Sequence, residues 1–208
     1  MEYEELVRIA REYKLIVFGG YSVLGYERPE ALARIISALV TEAGDGTLYL
    51  GGGTKVGIGL AYEVIRRQSS ILRFKNVKTA GIVSMNALTE GIELAEQDYL
   101  HYVRTAPGEW RVLRGARSLM VDIAAESNGK MIYFSGGAVA RDEILEALAR
   151  GVPVTVAEGP EIEPKREEVE KALAKNPSCI VYGTLGISGG ISGLSRWHAG
   201  MDASILTK

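Results

Sequence analysis

Leu48-Tyr-Leu-Gly-Gly-Gly53 runs three apolar residues into three glycines, and the chain repeats the pattern at Leu15-Ile-Val-Phe-Gly-Gly20 and Ile132-Tyr-Phe-Ser-Gly-Gly137. A short apolar run without polar alternation marks a strand buried on both faces. Outward from these three, strand-like and helical segments alternate. Helices are expected over residues 3–13, 29–43, 56–68, 116–127, 140–150 and 165–175. Strands are expected at Leu15–Phe18, Thr47–Leu50, Thr79–Ser84, Met131–Phe134, Val152–Val156 and Ser178–Tyr182. The 29–43 helix is the clearest: Leu32, Ile35, Ile36, Leu39 and Val40 share one face, Pro29 suits the first turn and Gly44-Asp-Gly46 supplies the stop. Between Met85 and Arg114 the periodicity is mixed, with one helical piece expected over 94–103 and a turn at Pro107-Gly108.

Alternation of this kind implies a parallel sheet covered by helices on both faces. The expected fold is α/β, a doubly wound, mostly parallel sheet in a Rossmann-like three-layer sandwich, with residues 1–208 as one domain. Composition agrees, since 47% hydrophobic and 24% charged residues exclude a disordered or fibrous chain. A net charge of -2 gives no basic field for nucleic acid or an anionic membrane. The one cysteine, Cys179, excludes an intramolecular disulfide framework and a clustered cysteine zinc site. No apolar run reaches the roughly 18 residues of a membrane helix, and the N-terminus lacks a signal-peptide pattern, so a cytoplasmic protein is expected. The departure is glycine: 25 residues, where an average chain of this length holds about 15.

In an open parallel sheet, ligands bind outside the carboxyl ends of the strands. Three glycine endings there would turn backbone N–H groups and helix N-termini towards one anion, which points to phosphate. The plainer reading, tight strand-to-helix turns, accounts for one such ending more readily than for three. The candidate contacts are Gly19, Gly20 and Ser22 after the first strand, Gly51, Gly52, Gly53, Thr54, Lys55 and Gly57 after the second, and Gly136, Gly137 and Ala138. The middle loop is not a Walker A motif, because no Gly-Lys-Ser/Thr closes it. It is not a dinucleotide fingerprint either, because Val56 stands where the third glycine belongs. Lys55 reads equally as counter-charge or as a solvated lysine. Asp142 and Glu143 could hold ribose hydroxyls or assist glycosidic cleavage, or simply favour the helix dipole.

The pairing of Gly51-Gly-Gly53 with Gly136-Gly137 and Glu143 resembles the Rossmann-like superfamily of molybdenum-cofactor carrier proteins. That superfamily includes the LOG, or lysine decarboxylase-like, phosphoribohydrolases and the DprA-like domains. The resemblance runs from about Leu15 to Ala157. It takes in Gly19-Gly20-Tyr21-Ser22, the triple glycine with Gly57 behind it, an arginine-bearing helix matched by Arg117-Ser-Leu-Met120, and Gly151-Val-Pro-Val154. The family's Gly-Gly-x-Gly-Thr-x-x-Glu becomes Gly136-Gly-Ala-Val-Ala-Arg-Asp-Glu143, with Val139-Ala140 replacing Gly-Thr and Ser135 replacing the preceding proline. The resemblance implies a binding protein for a nucleotide or nucleotide-like phosphorylated ligand, a molybdopterin-type ligand included, with Arg117 among the contacts. Its alternative is a nucleoside-monophosphate phosphoribohydrolase with Arg117 and Glu143 as the catalytic pair, although the altered Gly-Thr weakens that carry-over. Homo-oligomers through helices on one sheet face are implied as well.

Other patterns are weaker. Gly186-Ile-Ser-Gly-Gly190 matches a nucleophile elbow, but no helix pattern follows it. Asp98-x-x-His101 with Glu90, Glu93 and Glu96 reads better as a solvated face than as metal ligands. Tyr99, Tyr102 and Trp110 could form a base-stacking wall or belong to the core. The expected partner is a small phosphorylated molecule, with no nucleic acid, membrane or metal.

Overall fold

The computed structural model describes residues 1–22, 24–175, 181–182 and 194–198. The strands are β1 (Lys14–Gly20), β2 (Thr47–Gly52), β3 (Lys78–Ser84), β4 (Tyr99–Val103), β5 (Leu113–Arg114), β6 (Arg117–Ser118), β7 (Lys130–Phe134), β8 (Gly136–Gly137), β9 (Val154–Glu158), β10 (Val181–Tyr182) and β11 (Leu194–His198). The helices are α1 (Tyr3–Ala10), α2 (Pro29–Ala43), α3 (Leu60–Ile71), the single turn α4 (Asn86–Thr89), α5 (Leu119–Glu126), α6 (Ala138–Ala149) and α7 (Arg166–Lys175).

Seven strands form one sheet in the order β11-β9-β7-β1-β2-β3-β4, and every neighbouring pair is parallel. Strand alternation divides the core in two. Leu15 and Val17 of β1 face α1, α5 and α6, together with Leu48, Leu50, Met131 and Tyr133. Ile16 and Phe18 face the other way, onto α2 and α3, with Tyr49, Ile132 and Phe134. This two-sided burial is why the strands read as unbroken apolar runs. From β1 the chain steps outward through β2, β3 and β4, then returns to β7 on the other side and continues to β9 and β11. The order therefore reverses between β1 and β7, and the crevice of a doubly wound sheet lies at their carboxyl ends.

Most expected elements form near their expected bounds, and α2 forms on them. Four differ. The helical piece over 94–103 is instead the edge strand β4, because Tyr99, Tyr102 and Val103 suit a strand and β3 offers a free edge. Asp98 fixes the entry: its carboxylate accepts from the Thr79 backbone N–H at 2.8 Å and the Thr79 hydroxyl at 3.0 Å. The helix expected from 116 begins at Leu119, since Arg117 and Ser118 turn back antiparallel onto Arg114 and Leu113. The strand expected at Val152–Val156 runs Val154–Glu158, and the Pro153 carbonyl before it accepts the Met131 N–H at 2.9 Å. Of Ser178–Tyr182, the described Val181 and Tyr182 pair antiparallel with Gly137 and Gly136 rather than joining the large sheet. The edge partner of β9 is β11, for which the sequence offered no signal. Cys179 and Gly186–Gly190 lie outside the described residues.

Candidate functional site

The β1 ending is filled by the side chains of Tyr133 and Tyr26. Gly19 lies opposite Tyr133, and Gly20 opposite Phe134, in the β1–β7 register. A Cβ on Gly19 would overlap the Tyr133 ring, and one on Gly20 would overlap the Tyr26 hydroxyl. Tyr26, almost fully buried, donates to the Phe134 carbonyl at 2.8 Å and accepts the Tyr21 N–H at 3.1 Å. The Tyr21 hydroxyl lies 3.2 Å from Ser135 Oγ, just beyond β7. Burial pushes the Tyr21 and Tyr26 phenols above their ordinary range, so these are neutral hydroxyls. Ser135 holds φ at +58°, a left-handed conformation uncommon outside glycine, at the turn from β7 into α6. Ser22 is exposed at the rim.

The β2 ending is built differently. The Ile58 N–H donates to the Tyr21 carbonyl at 2.6 Å, joining this loop to the end of β1. Gly57 makes that approach possible with φ at +69°, where a Cβ would strike the same carbonyl. Residues 93–97 line the other flank: the Lys55 N–H donates to the Glu93 carbonyl and the Ala95 N–H to the Gly53 carbonyl, both at 2.9 Å. The Lys55 ammonium is paired with the Glu93 carboxylate, so here it is neutralised rather than bare counter-charge. Gly52 differs from Gly19, Gly20, Gly51, Gly53 and Gly136, because a Cβ built on it meets nothing within 4 Å. Close by in the chain, Thr54 Oγ1 is buried without a hydrogen-bond partner, and so is Oε1 of Gln97, whose amide donates to the Gly53 carbonyl at 3.3 Å.

At the β7 ending, Gly136 lies against β1: a Cβ there would come 3.8 Å from the Gly20 Cα. Gly136 and Gly137 are not bare backbone, since they form the two-residue β8 paired with β10. Ala138 opens α6. Glu143 turns from α6 towards the sheet, where Oε1 accepts the Ser118 hydroxyl at 2.7 Å and Oε2 the Tyr133 hydroxyl at 2.9 Å. Desolvation raises its pKa against the lowering effect of these two hydrogen bonds, while Glu146 raises it and Arg111 lowers it. Arg117, expected on a helix, lies in β6 and directs Nε towards the buried Asp122 at 3.5 Å. Arg150 takes the same Asp122 oxygen at 2.6 Å. The structure thus brings the three glycine endings together, and sets Glu143 and Arg117 in a polar network on the α5–α6 side that meets the β1 ending through the Tyr133 hydroxyl. Arg111, from the stretch of mixed periodicity, reaches Asp142 at 3.5 Å.

The tyrosines that fill the crevice, and the partners Ser118 and Tyr133 of Glu143, had no signal beyond their residue type. Tyr99 and Tyr102 lie on the edge strand β4, three strands from the β1–β7 crevice, and Trp110 is exposed. Among the described residues no group of three or more His, Cys, Asp or Glu side chains is placed to hold a metal. Glu93 and Glu96 pair with Lys55 and Arg66, and His101 Nδ1 lies 2.8 Å from the Met1 carbonyl. No described helix is long and apolar enough to cross a membrane.

No protein-family model matches the sequence, and none of the curated proteins does. Solved structures do. One structure of the molybdenum cofactor carrier protein of Chlamydomonas reinhardtii superposes with a TM-score of 0.53 at 14% identity, covering 94% of this chain and 99% of that one. A second structure of that carrier gives 0.49 at 14% identity, covering 94% of each chain. The DNA processing protein A of Streptococcus pneumoniae gives 0.46 at 12% identity, covering 80% of this chain and 58% of that one. The first of these shows a shared fold, the doubly wound Rossmann-like sandwich.

Proposed function

We propose that the chain binds a nucleotide or a nucleotide-like phosphorylated molecule at the carboxyl edge of β1, β2 and β7. The observation that carries this reading is the lip after β2. There Gly52 faces open space while the buried Thr54 hydroxyl and Gln97 carbonyl lack protein partners. Buried polar atoms without partners are uncommon, and a ligand or ordered water supplies what the protein does not. The α3 segment starts just behind this lip, so its N-terminal dipole adds to the attraction for an anion. The β1 ending supplies shape and rigidity, its space being taken by Tyr26 and Tyr133. A carrier role, as the name of the Chlamydomonas protein suggests, fits a site built to hold rather than to transform. A molybdopterin-type ligand belongs to the same chemical class. Self-association is part of this reading.

One observation favours a second reading, hydrolysis of the base–ribose bond of a nucleoside monophosphate: a carboxyl with a raised pKa, Glu143, held in a fixed position by two hydroxyls. Its expected companion, Arg117, is engaged with Asp122.

Nucleoside 5′-monophosphates should be titrated calorimetrically into wild type and Gly52→Val, and chromatographed after incubation. Gly52 is extended in β2 with space beyond it, so valine fits the fold and closes the lip. Binding by wild type with at least tenfold loss in Gly52→Val supports the site. Equal affinity in both places the ligand elsewhere. Release of free base that disappears in Glu143→Gln replaces the binding reading with the hydrolase.

A further inference from the structure

Among the described residues the large sheet ends at β4, which is unlike β1, β2, β3, β7 and β9 of the same sheet. No residue of Tyr99–Val103 is fully buried, and Tyr102 is 40% exposed. Among the described residues only one side of the strand is paired, to β3. Beyond that ladder, the described backbone bonds of β4 amount to one, from the Met85 N–H to the Val103 carbonyl. A strand edge of this kind is a template for another strand.

We infer that β4 is a self-association edge, pairing antiparallel with β4 of a second copy about a two-fold axis through His101. The charges select the partner and the register. Asp98 stands just before the strand and Arg104 just after it, each three residues from His101. Antiparallel pairing centred on His101 brings Asp98 of one copy opposite Arg104 of the other, twice over, with Tyr99 opposite Val103 and Leu100 opposite Tyr102. A parallel pairing in register would set like charge against like. Asp98 is held by Thr79 and more loosely by Lys78, at 3.4 Å, and its side chain remains 36% exposed. Arg104 is exposed, and no described carboxylate pairs with it. Such an isologous contact joins two seven-stranded sheets into one and satisfies two open edges at once. A five-residue strand pair buries less than a stable dimer requires, so the association is weak and concentration-dependent. The inference does not depend on what the carboxyl edge binds.

Cysteine crosslinking tests the register in the full chain. His101→Cys places two thiols across the axis, within disulfide reach of an antiparallel pair. Tyr102→Cys places them diagonally on the opposite face. Under mild oxidation His101→Cys should form a covalent dimer at least tenfold faster than Tyr102→Cys or the wild type with its single Cys179. Equal rates, or no dimer, overturn the register. Sedimentation equilibrium up to high micromolar concentration tests the surface without new cysteines. Arg104→Glu should weaken dimerisation about fivefold at low salt. Ala33→Arg, in the groove between α2 and α3 lined by Leu60 and Val64, should leave it unchanged. The reverse pattern puts the contact on the helix face, and a monomer at all concentrations removes the edge contact altogether.

Discussion

Two neighbouring endings of the same sheet, both written in glycine, serve opposite ends. After β1, Gly19 and Gly20 are spaces into which Tyr133 and Tyr26 fit, and the hydroxyls there reach a carboxylate and a backbone carbonyl. After β2, Gly52 borders open space and the nearby buried polar atoms of Thr54 and Gln97 are unpartnered. At these strand endings glycine has two uses: at Gly19, Gly20 and Gly57 it lets the protein's own groups approach the backbone, while at Gly52 it leaves the space beside the strand open.

The largest effect should come from breaking the seam between the two endings. Gly57→Ala forces a Cβ onto the Tyr21 carbonyl at positive φ and should cost about 3 kcal/mol or more in urea unfolding. Gly52→Ala, at the open lip, should stay within about 1 kcal/mol of wild type. Equal costs would mean that the two endings do not differ. Next, Tyr26→Phe strips the Phe134 carbonyl and the Tyr21 N–H of a buried partner and should cost about 2 kcal/mol.

The amino end of the same β1–β7 pair gives a smaller effect of opposite sign. Lys130 Nζ is buried there without a partner, and burial, reinforced by Lys14, lowers its pKa to about 8. A lysine whose pKa is lower folded than unfolded opposes folding most strongly below pH 8, and that penalty fades as pH rises towards 10.5. Lys130→Met should therefore stabilise by about 1 kcal/mol at pH 7. Thermal unfolding should show that advantage shrinking between pH 8 and 10.5.

The smallest change is Glu143→Gln, where the amide can still meet both hydroxyls. Because folding raises the Glu143 pKa, its ionisation opposes folding, and the penalty appears as pH rises from about 4.5 through the folded-state value. Stability of the glutamine variant relative to wild type should thus increase over that range. A fixed difference across pH would mean that Glu143 titrates alike in both states.

Much of the molecule is legible in its sequence. Pro29 and Gly44 bounded α2 because helix starts and stops are local chemistry. The runs Leu15–Phe18 and Met131–Phe134 read as central strands because burial on both faces leaves no polar residue in them. The 94–103 segment misled because its apolar residues fit two periods, and the choice was made by the free edge of β3 and by Thr79 binding Asp98. Arg117 was assigned to a helix because its pairing back onto Arg114 breaks into the helical pattern, and Lys55 was left between counter-charge and solvated lysine because its partner Glu93 is distant in sequence.

By itself, then, the sequence determined the alternation, the doubly wound parallel sheet and the places where strands end in glycine. Each of these follows from residues within one turn or one strand of each other. Only the tertiary structure decided which glycine ending is filled and which stands open, what holds Glu143, and which strand closes the sheet. Those outcomes hang on pairs such as Gly20 with Phe134 and Ser118 with Glu143, which the chain joins only by folding.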